Sequence, residues 1–388
     1  MNVRAALAAP LPALSLLAVE LGAVAVSLIG FAIFLAFEGA SPGRVLIDMV
    51  DGAFGSWFSV QNSLSRAAPL MLTALCTAVP ARLGMIIIGN EAALLMGGLS
   101  AAVCSMLLPP TAAPVLALTL MLGAGALAGA VWIALSGVLR QKRGVHETIS
   151  SLLLFYIGLS LFLHCVEGPL RDPASLNKPG TPPLAEAHML TGIGGSDVHY
   201  GILFGLCACV ISYVLLEHTS FGFSVRVTGG NLKAARLMGL PVTQLCLLVC
   251  ALGGAAAGVA GAIEVAAIHG SANRALYAGL GFSGVLVAFV ARQHPLAIIP
   301  VAILLGGIQA SGGVLQRRHG LPDAVVEVFK GILFISVLAA ETYVLPALTW
   351  AERKRQALST LPAPKPTAAD ELLLPAAPEA SEAAGGAQ

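Results

Sequence analysis

Ten apolar stretches, each long enough or nearly so to cross a lipid bilayer, constrain this chain more than any other feature. They run over residues 13–37, 60–81, 84–108, 113–139, 147–166, 200–216, 242–266, 281–292, 295–313 and 324–348. A helix needs about 20 apolar residues to cross ~30 Å of hydrocarbon. Hydrocarbon offers the backbone no hydrogen-bond partners, so each crossing must satisfy its own N–H and C=O groups. The fold expected is therefore all-α, a polytopic integral membrane protein. Composition agrees: 11% of residues are charged and 57% hydrophobic, where a soluble domain carries about 25% charge. The first stretch, at about 25 residues, is too long for the apolar core of a signal peptide and reads as a retained span. The 281–292 stretch is short and contains glycine, as a broken or re-entrant helix would.

Lys and Arg near span ends orient such a chain. With ten spans and a cytoplasmic N-terminus, the inner face receives Arg4, Arg82, Arg140, Lys142, Arg143, Arg226, Lys233, Arg236, Arg292, Arg353, Lys354, Arg355 and Lys365, out of 21 basic residues. The densest clusters, Arg140–Arg143 and Arg353–Arg355, are both inside, and Arg317-Arg318 runs against the trend. The loop from Glu167 to Asp197 is external. Both termini are expected in the cytoplasm. A transmembrane domain covers 1–350, and a polar tail over 351–388, rich in Ala, Pro and acids, reads as disordered. The basic Glu352-Arg-Lys-Arg355 cluster suits the anionic inner leaflet, so membrane lipid is one expected partner.

The segment Thr228-Gly-Gly-Asn-Leu-Lys-Ala-Ala-Arg-Leu-Met-Gly-Leu-Pro241 interrupts the apolar pattern. Asn231 is a good N-cap, Leu232 to Met238 form about two turns, Gly239 suits the left-handed position after the helix, and Pro241 stops it. The charge count places this small capped helix in the cytoplasm, where it is expected to dock another protein.

The chemistry that is missing is informative. There is no G-x-x-x-x-G-K-[ST], so the chain supplies no P-loop, and there is no H-E-x-x-H or G-x-S-x-G. The His146-Glu147 pair is adjacent, not at metal-binding helical spacing. The seven cysteines show neither metal nor disulfide spacing. No catalytic residue, metal site or cofactor is expected. A net charge of +1 argues against a nucleic-acid partner.

Gly125-x-x-x-Gly129 and Gly254-x-x-x-Gly258, followed by Gly261, put small residues on one helix face. Such faces allow close helix packing, within one bundle or between two copies. The intramembrane ionisable residues are Glu20, Glu91, Glu264 and Lys330, and each must face the bundle interior or an aqueous cavity. Glu91, in Gly89-Asn-Glu-Ala, has two readings: it lines a translocation path, or it locks two helices together.

Four stretches together resemble the permease subunits of bacterial ABC importers, in the branch that handles nucleosides and simple sugars. Gly84-Met-Ile-Ile-Ile-Gly-Asn-Glu-Ala-Ala-Leu-Leu-Met-Gly-Gly98 is similar to the family's G-L-F-N-I-G-x-E-G-Q-L-L-x-G-A. Gly144-Val-His-Glu-Thr-Ile-Ser-Ser-Leu-Leu-Leu-Phe-Tyr-Ile157 resembles G-V-N-E-V-I-S-T-x-M-L-N-Y-I. The capped segment is similar to the cytoplasmic G-x-N-x-x-A-A-R-x-x-G-I loop. Gly281-Phe-Ser-Gly-Val-Leu-Val-Ala-Phe-Val-Ala-Arg-Gln-His-Pro-Leu296 resembles G-F-D-x-I-A-V-A-L-L-G-R-x-H-P-L.

The resemblance implies a pore of two permease chains, as a homodimer or with a similar second permease, in the inner membrane. It implies cytoplasmic ATPase subunits that hydrolyse ATP, so the chain is not itself an enzyme, and a periplasmic or lipoprotein binding protein that delivers solute. Gly230, Asn231, Ala234, Ala235, Arg236 and Gly239 match the ATPase-coupling loop. Asn90, Glu91, Phe155 and Ser283 fall where a translocation path is expected. Where the family has Asn, this chain has Ile87 and Phe155; its Gly-Gln is Ala92-Ala93, and its Asp is Ser283. These losses of polar groups point to a less polar or differently shaped solute within the nucleoside-like or simple-sugar class. Two other readings of the residues stay open, an ion-coupled secondary transporter and a non-transporting membrane scaffold.

Overall fold

A computed structural model of the chain describes residues 13–175, 178–348 and 350. Thirteen α-helices follow in order: α1 (Ala13–Phe37), α2 (Pro42–Phe54), α3 (Trp57–Ala81), α4 (Asn90–Leu107), α5 (Pro114–Arg143), α6 (Glu147–Glu167), α7 (Gly201–Glu217), α8 (Ser220–Gly230), α9 (Leu232–Leu237), α10 (Val242–Glu264), α11 (Leu280–Val290), α12 (Pro295–His319) and α13 (Ala324–Ala339). No β-strand occurs among the described residues. The chain is an all-α polytopic membrane protein. The expected tail over 351–388 and the placement of both termini lie outside the described residues.

Eight helices are long and apolar enough to cross a membrane, namely α1, α3, α4, α5, α6, α10, α12 and α13. A ninth crossing arises if α7 and α8, bent by 70° at their junction, count as one span. The ten expected stretches all contain a helix, but two fall short. Helix α7 has 17 residues, and α11 has only 11. At ~1.5 Å per residue α11 is about 16 Å long, roughly half of a ~30 Å core. It is a half-helix, entered through the short 3₁₀ turn Arg274–Leu276 and the left-handed Gly279.

Helix α3 is the axis of the fold. Every residue from Ala67 to Pro80 is buried, and α7, α10, α11 and α12 pack around it. Beside it α4, α5 and α10 approach at backbone distance. A Cβ on Gly258 would lie 2.0 Å from the Gly125 carbonyl oxygen, and one on Gly129 would lie 2.2 Å from that of Gly254. A Cβ on Gly261 would meet the Leu94 carbonyl at 1.9 Å. The two small-residue motifs therefore pack against each other inside one chain, which decides between the two roles expected for them. In lipid, where apolar surface gains nothing by leaving the solvent, such close van der Waals contact holds helices together.

Helix α2 breaks no apolar stretch and is amphipathic instead. Val45, Met49, Gly52 and Ala53 make its buried face, at the i, i+4, i+7, i+8 spacing of one helix stripe. That face joins Phe31, Leu35, Leu315 and Phe329 in a second core where α1, α12 and α13 meet. Its outer side is tied down by charge. Asp48 accepts from Arg318 Nη1 and lies 2.6 Å from His319 Nε2. The hydrogen bond to His319, then that from Arg318, holds the Asp48 carboxyl below its ordinary range.

The segment between α6 and α7 folds back on the end of α10. Thr181 N–H donates to Ala272, Leu184 N–H to Gly270 and Leu190 N–H to Ala266, at 2.9, 2.8 and 2.9 Å. The chain that leads into α11 is thereby fixed from one side.

Candidate functional site

Two interrupted backbones meet at the start of α11, the second being its own entry through Gly279. The first is the stretch before α4, which was expected to be helical from residue 84. Gly84 takes a left-handed φ of 78°, and residues 85–88 carry no helix. Non-helical backbone at membrane depth survives only where protein satisfies it. Here side chains from two helices do so. Thr77 Oγ1 donates to Ile87 O at 3.0 Å, Thr148 Oγ1 donates to Ile86 O at 3.0 Å, and Ile88 N–H donates to Ser151 Oγ at 3.2 Å.

Asn90 and Glu91 thus open α4 rather than sitting inside it. Both are fully buried. Asn90 Nδ2 donates to Thr73 O at 3.0 Å and to Thr77 Oγ1 at 2.8 Å, which locks the start of α4 to α3. Glu91 reaches the other way. Its Oε1 accepts from Gly279 N–H at 2.9 Å and its Oε2 from Gly281 N–H at 2.5 Å. These are donors that the first turn of α11 cannot use internally. A carboxylate from α4 therefore caps α11 across the bundle, where the helix dipole also favours negative charge. The approach is tight, for a Cβ on Gly281 would stand 2.3 Å from Glu91 N. Thr73 completes the junction, its hydroxyl lying 3.3 Å from Leu280 O.

Phe155 and Ser283 also converge here. Phe155 is buried, with its ring centroid 5.0 Å from Phe282 in an edge-to-face pair and 6.2 Å from Tyr277. Ser283 Oγ accepts from Lys330 Nζ at 3.0 Å and from Gln309 Nε2 at 3.4 Å. Lys330, buried on α13, also pairs with Glu327 at 2.6 Å. Thr73, Thr77 and Gln309 were not singled out in the sequence. A hydroxyl or amide inside an apolar run is the only trace they leave there.

Two cavities flank this junction and share its residues alternately. One, of about 710 Å³, is of mixed polarity; its walls include Ala278 and Leu280 together with Asn62, Arg66, Glu264 and His269. Glu264 Oε2 lies 3.7 Å from His269 Nε2 across that space. The other, of about 600 Å³, is mostly apolar; its walls include Gly279, Phe282 and Ser283 with Lys330. The start of α11 is the partition between them. Glu91 lines neither cavity: it holds the partition from behind.

The residues of the expected docking loop form a separate surface. Asn231 Oδ1 accepts from Lys233 N–H at 3.0 Å and Ala234 N–H at 3.1 Å, capping α9. At the other end Gly239 has a φ of 74°, and Leu240 N–H bonds Ala235 O while Gly239 N–H bonds Arg236 O, both at 3.0 Å. That pair of bonds is a Schellman ending. Ala235 is wholly buried against its own chain, so it offers no surface to a partner. Outward-facing residues are Leu232, Lys233, Arg236, Leu237 and Met238, with Leu237 90% exposed. Gly230 lies at the end of α8 with open space around it. Helix α8 is pinned to the bundle by Glu217, which pairs with Arg226 at 2.8 Å and Arg82 at 3.1 Å.

An all-helical membrane bundle with a broken half-helix between two cavities is a build that transport proteins use. The chain belongs to the family described as "Branched-chain amino acid transport system / permease component", which matches residues 59–338. It is 30% identical to the glucose ABC transporter permease protein of Haloferax volcanii, over 80% of this chain and 85% of that one. It is 27% identical to the guanosine ABC transporter permease protein of Bacillus subtilis, over 84% and 94%. A nucleoside ABC transporter permease protein of Lactococcus lactis subsp. cremoris is 26% identical, over 82% and 90%. The chain is a multi-pass inner-membrane permease of the ABC type, related to transport subunits and not to enzymes.

Proposed function

We propose that the chain is the membrane-spanning subunit of an ATP-driven importer for a small solute, of the nucleoside-like or simple-sugar class. ATP is hydrolysed by separate cytoplasmic ATPase subunits that dock on α9. A second permease, identical or similar, completes the pore, and a periplasmic or lipoprotein binding protein delivers the solute. The observation that carries this reading is α9 itself. A six-residue helix capped at both ends and exposing Leu237, Met238, Lys233 and Arg236 is over-built for a connector. It suits a groove on a partner, with Arg236 facing an acid there.

Solute passes the start of α11, between the two cavities. Asn90 and Glu91 set the position of that partition, while Phe155 and Ser283 shape its inner wall. The relatives named for guanosine, nucleosides and glucose support the solute class.

The test is co-purification and ATP-dependent uptake in membrane vesicles with the cognate ATPase. Arg236→Glu is expected to leave the permease in the membrane but lose the ATPase. Gly239→Pro should do the same, because proline cannot adopt the positive φ of 74° found there. Both variants retaining the ATPase at wild-type level with normal uptake would refute the docking role. Uptake driven by an ion gradient without ATP would place the chain among secondary transporters instead.

A further inference from the structure

The apolar cavity holds one charged corner, and its chemistry is specific. Lys330 Nζ has three donors. One meets Ser283 Oγ at 3.0 Å and one meets Glu327 Oε1 at 2.6 Å, while the third has no partner among the described residues. Glu327 keeps its second oxygen free of any hydrogen bond among those residues and has a side chain 58% exposed. A buried ammonium donor and a carboxylate acceptor thus stand side by side at the edge of the space. Phe334 shares their face of α13, and Phe282, Leu286 and Phe289 of α11 complete the lining. The volume, about 600 Å³, falls in the ~300–1,000 Å³ range of small-molecule sites.

A free sugar fits this lining poorly. Its hydroxyls point to every side, and each one pressed on a phenyl or leucyl wall would lose its partner. A flat heterocycle fits well. Its faces are apolar and pack on the rings, while an acceptor and an N–H lie adjacent along one edge. We infer that this cavity binds the base of a nucleobase-bearing solute, with Lys330 donating to a ring carbonyl or ring nitrogen and Glu327 accepting from the adjacent N–H. Ser283, on the cavity wall, positions the ammonium, and Gln309 holds the Ser283 hydroxyl. The inference rests on the transport reading above and narrows its solute class.

The decisive measurement uses the assembled transporter, with its cognate ATPase and second permease, in proteoliposomes. Tritiated guanosine, adenosine, cytidine, ribose and glucose serve as probes. Saturable, ATP-dependent uptake of at least one nucleoside is expected, with no competition from either free sugar. Lys330→Met and Glu327→Gln should each raise its half-saturating concentration about tenfold or more, the scale of one lost hydrogen bond to a charged group. Lys330→Arg, which keeps donors at the same place, should recover part of the loss. Should Lys330→Met fail to assemble, the competition panel on the unaltered protein still decides. Uptake of a sugar with no competition from any nucleoside would overturn the base site and leave the importer standing. So would half-saturating concentrations within twofold of wild type in both variants. A complex that keeps its ATPase yet moves none of the five probes would overturn both readings.

Discussion

Replacing Glu91 with glutamine removes the charge that caps α11 and little else, since the side chain keeps its length. The carboxylate accepts from two backbone donors, Gly279 N–H at 2.9 Å and Gly281 N–H at 2.5 Å. An amide has one oxygen, so one of those N–H groups is left facing an NH₂ group. Hydrogen bonds to charged groups contribute about 1.5–3 kcal/mol each. Part of that loss is offset, because a neutral amide is less costly to bury than a charge. The net loss expected is about 1–3 kcal/mol, located at the first turn of α11. That corresponds to a local opening equilibrium raised roughly 5- to 150-fold. Hydrogen exchange by mass spectrometry on the assembled transporter reads it directly, in peptides covering residues 274–290. The amides there should exchange faster by that factor in Glu91→Gln, while α5 and α10, which meet through glycine, keep their protection. Exchange within twofold of wild type would refute the capping argument. Uniform acceleration in every helix would also refute it, since the effect would then be global.

Two further outcomes test the packing and the charge of the fold. Gly258→Val should prevent recovery of a monodisperse protein, because its first added carbon would stand 2.0 Å from the Gly125 carbonyl oxygen, whereas Gly123→Ala, with nothing within 4 Å, should behave as wild type in size-exclusion chromatography. Asp48→Asn should lower the thermal unfolding temperature at neutral pH and lose its effect in acid. The Asp48 carboxyl lies below its ordinary range through His319 and Arg318, so its contribution is present above the usual carboxylate value of about 3.9 and disappears as pH falls through the lowered one. A gap between wild type and Asp48→Asn that widens on acidification would contradict this sign.

Periodicity and capping chemistry made the bundle and α9 legible in the sequence, because both depend on neighbours along the chain. Asn231 and Gly239 carry their roles in their own residue types: a side-chain oxygen that reaches two residues on, and a backbone free to turn left-handed. The pairing of the Gly125 and Gly254 motifs was open between one chain and two, since a small-residue face does not say what it meets. Helix α2 escaped notice because its apolar stripe covers a short, charged segment that no hydropathy window selects. The break before α4 was hidden for the opposite reason. Residues 85–88 are as apolar as a span, and what keeps them extended is distant: hydroxyls on Thr77, Thr148 and Ser151. Glu91 could be seen to need a partner at membrane depth, yet its partners are backbone groups nearly 190 residues away. No side-chain pattern encodes them, beyond the glycine at 281 that makes room.

The way a push on α9 would reach α11 follows from which contacts can yield. Helix α9 packs on α8 and α10. From α10 the route enters α4 and α5 through glycines at backbone distance, where there are no long side chains to change rotamer and absorb a shift. The next link is the Glu91 carboxylate, from α4 to Gly279 and Gly281. A second route runs from α8 through Arg226, Glu217 and Arg82 into α3, and from Thr73 to Leu280. Both end on the same turn, the partition between the two cavities. Glycine contacts at backbone distance lead to it on the first path and ion pairs on the second, and a few hydrogen bonds around a left-handed glycine hold the turn itself. Adjacency of this kind establishes a route and not a coupling energy. Under the proposed docking role of α9, both routes converge on the first turn of α11, one through the Glu91 cap and the other through the Thr73 hydroxyl.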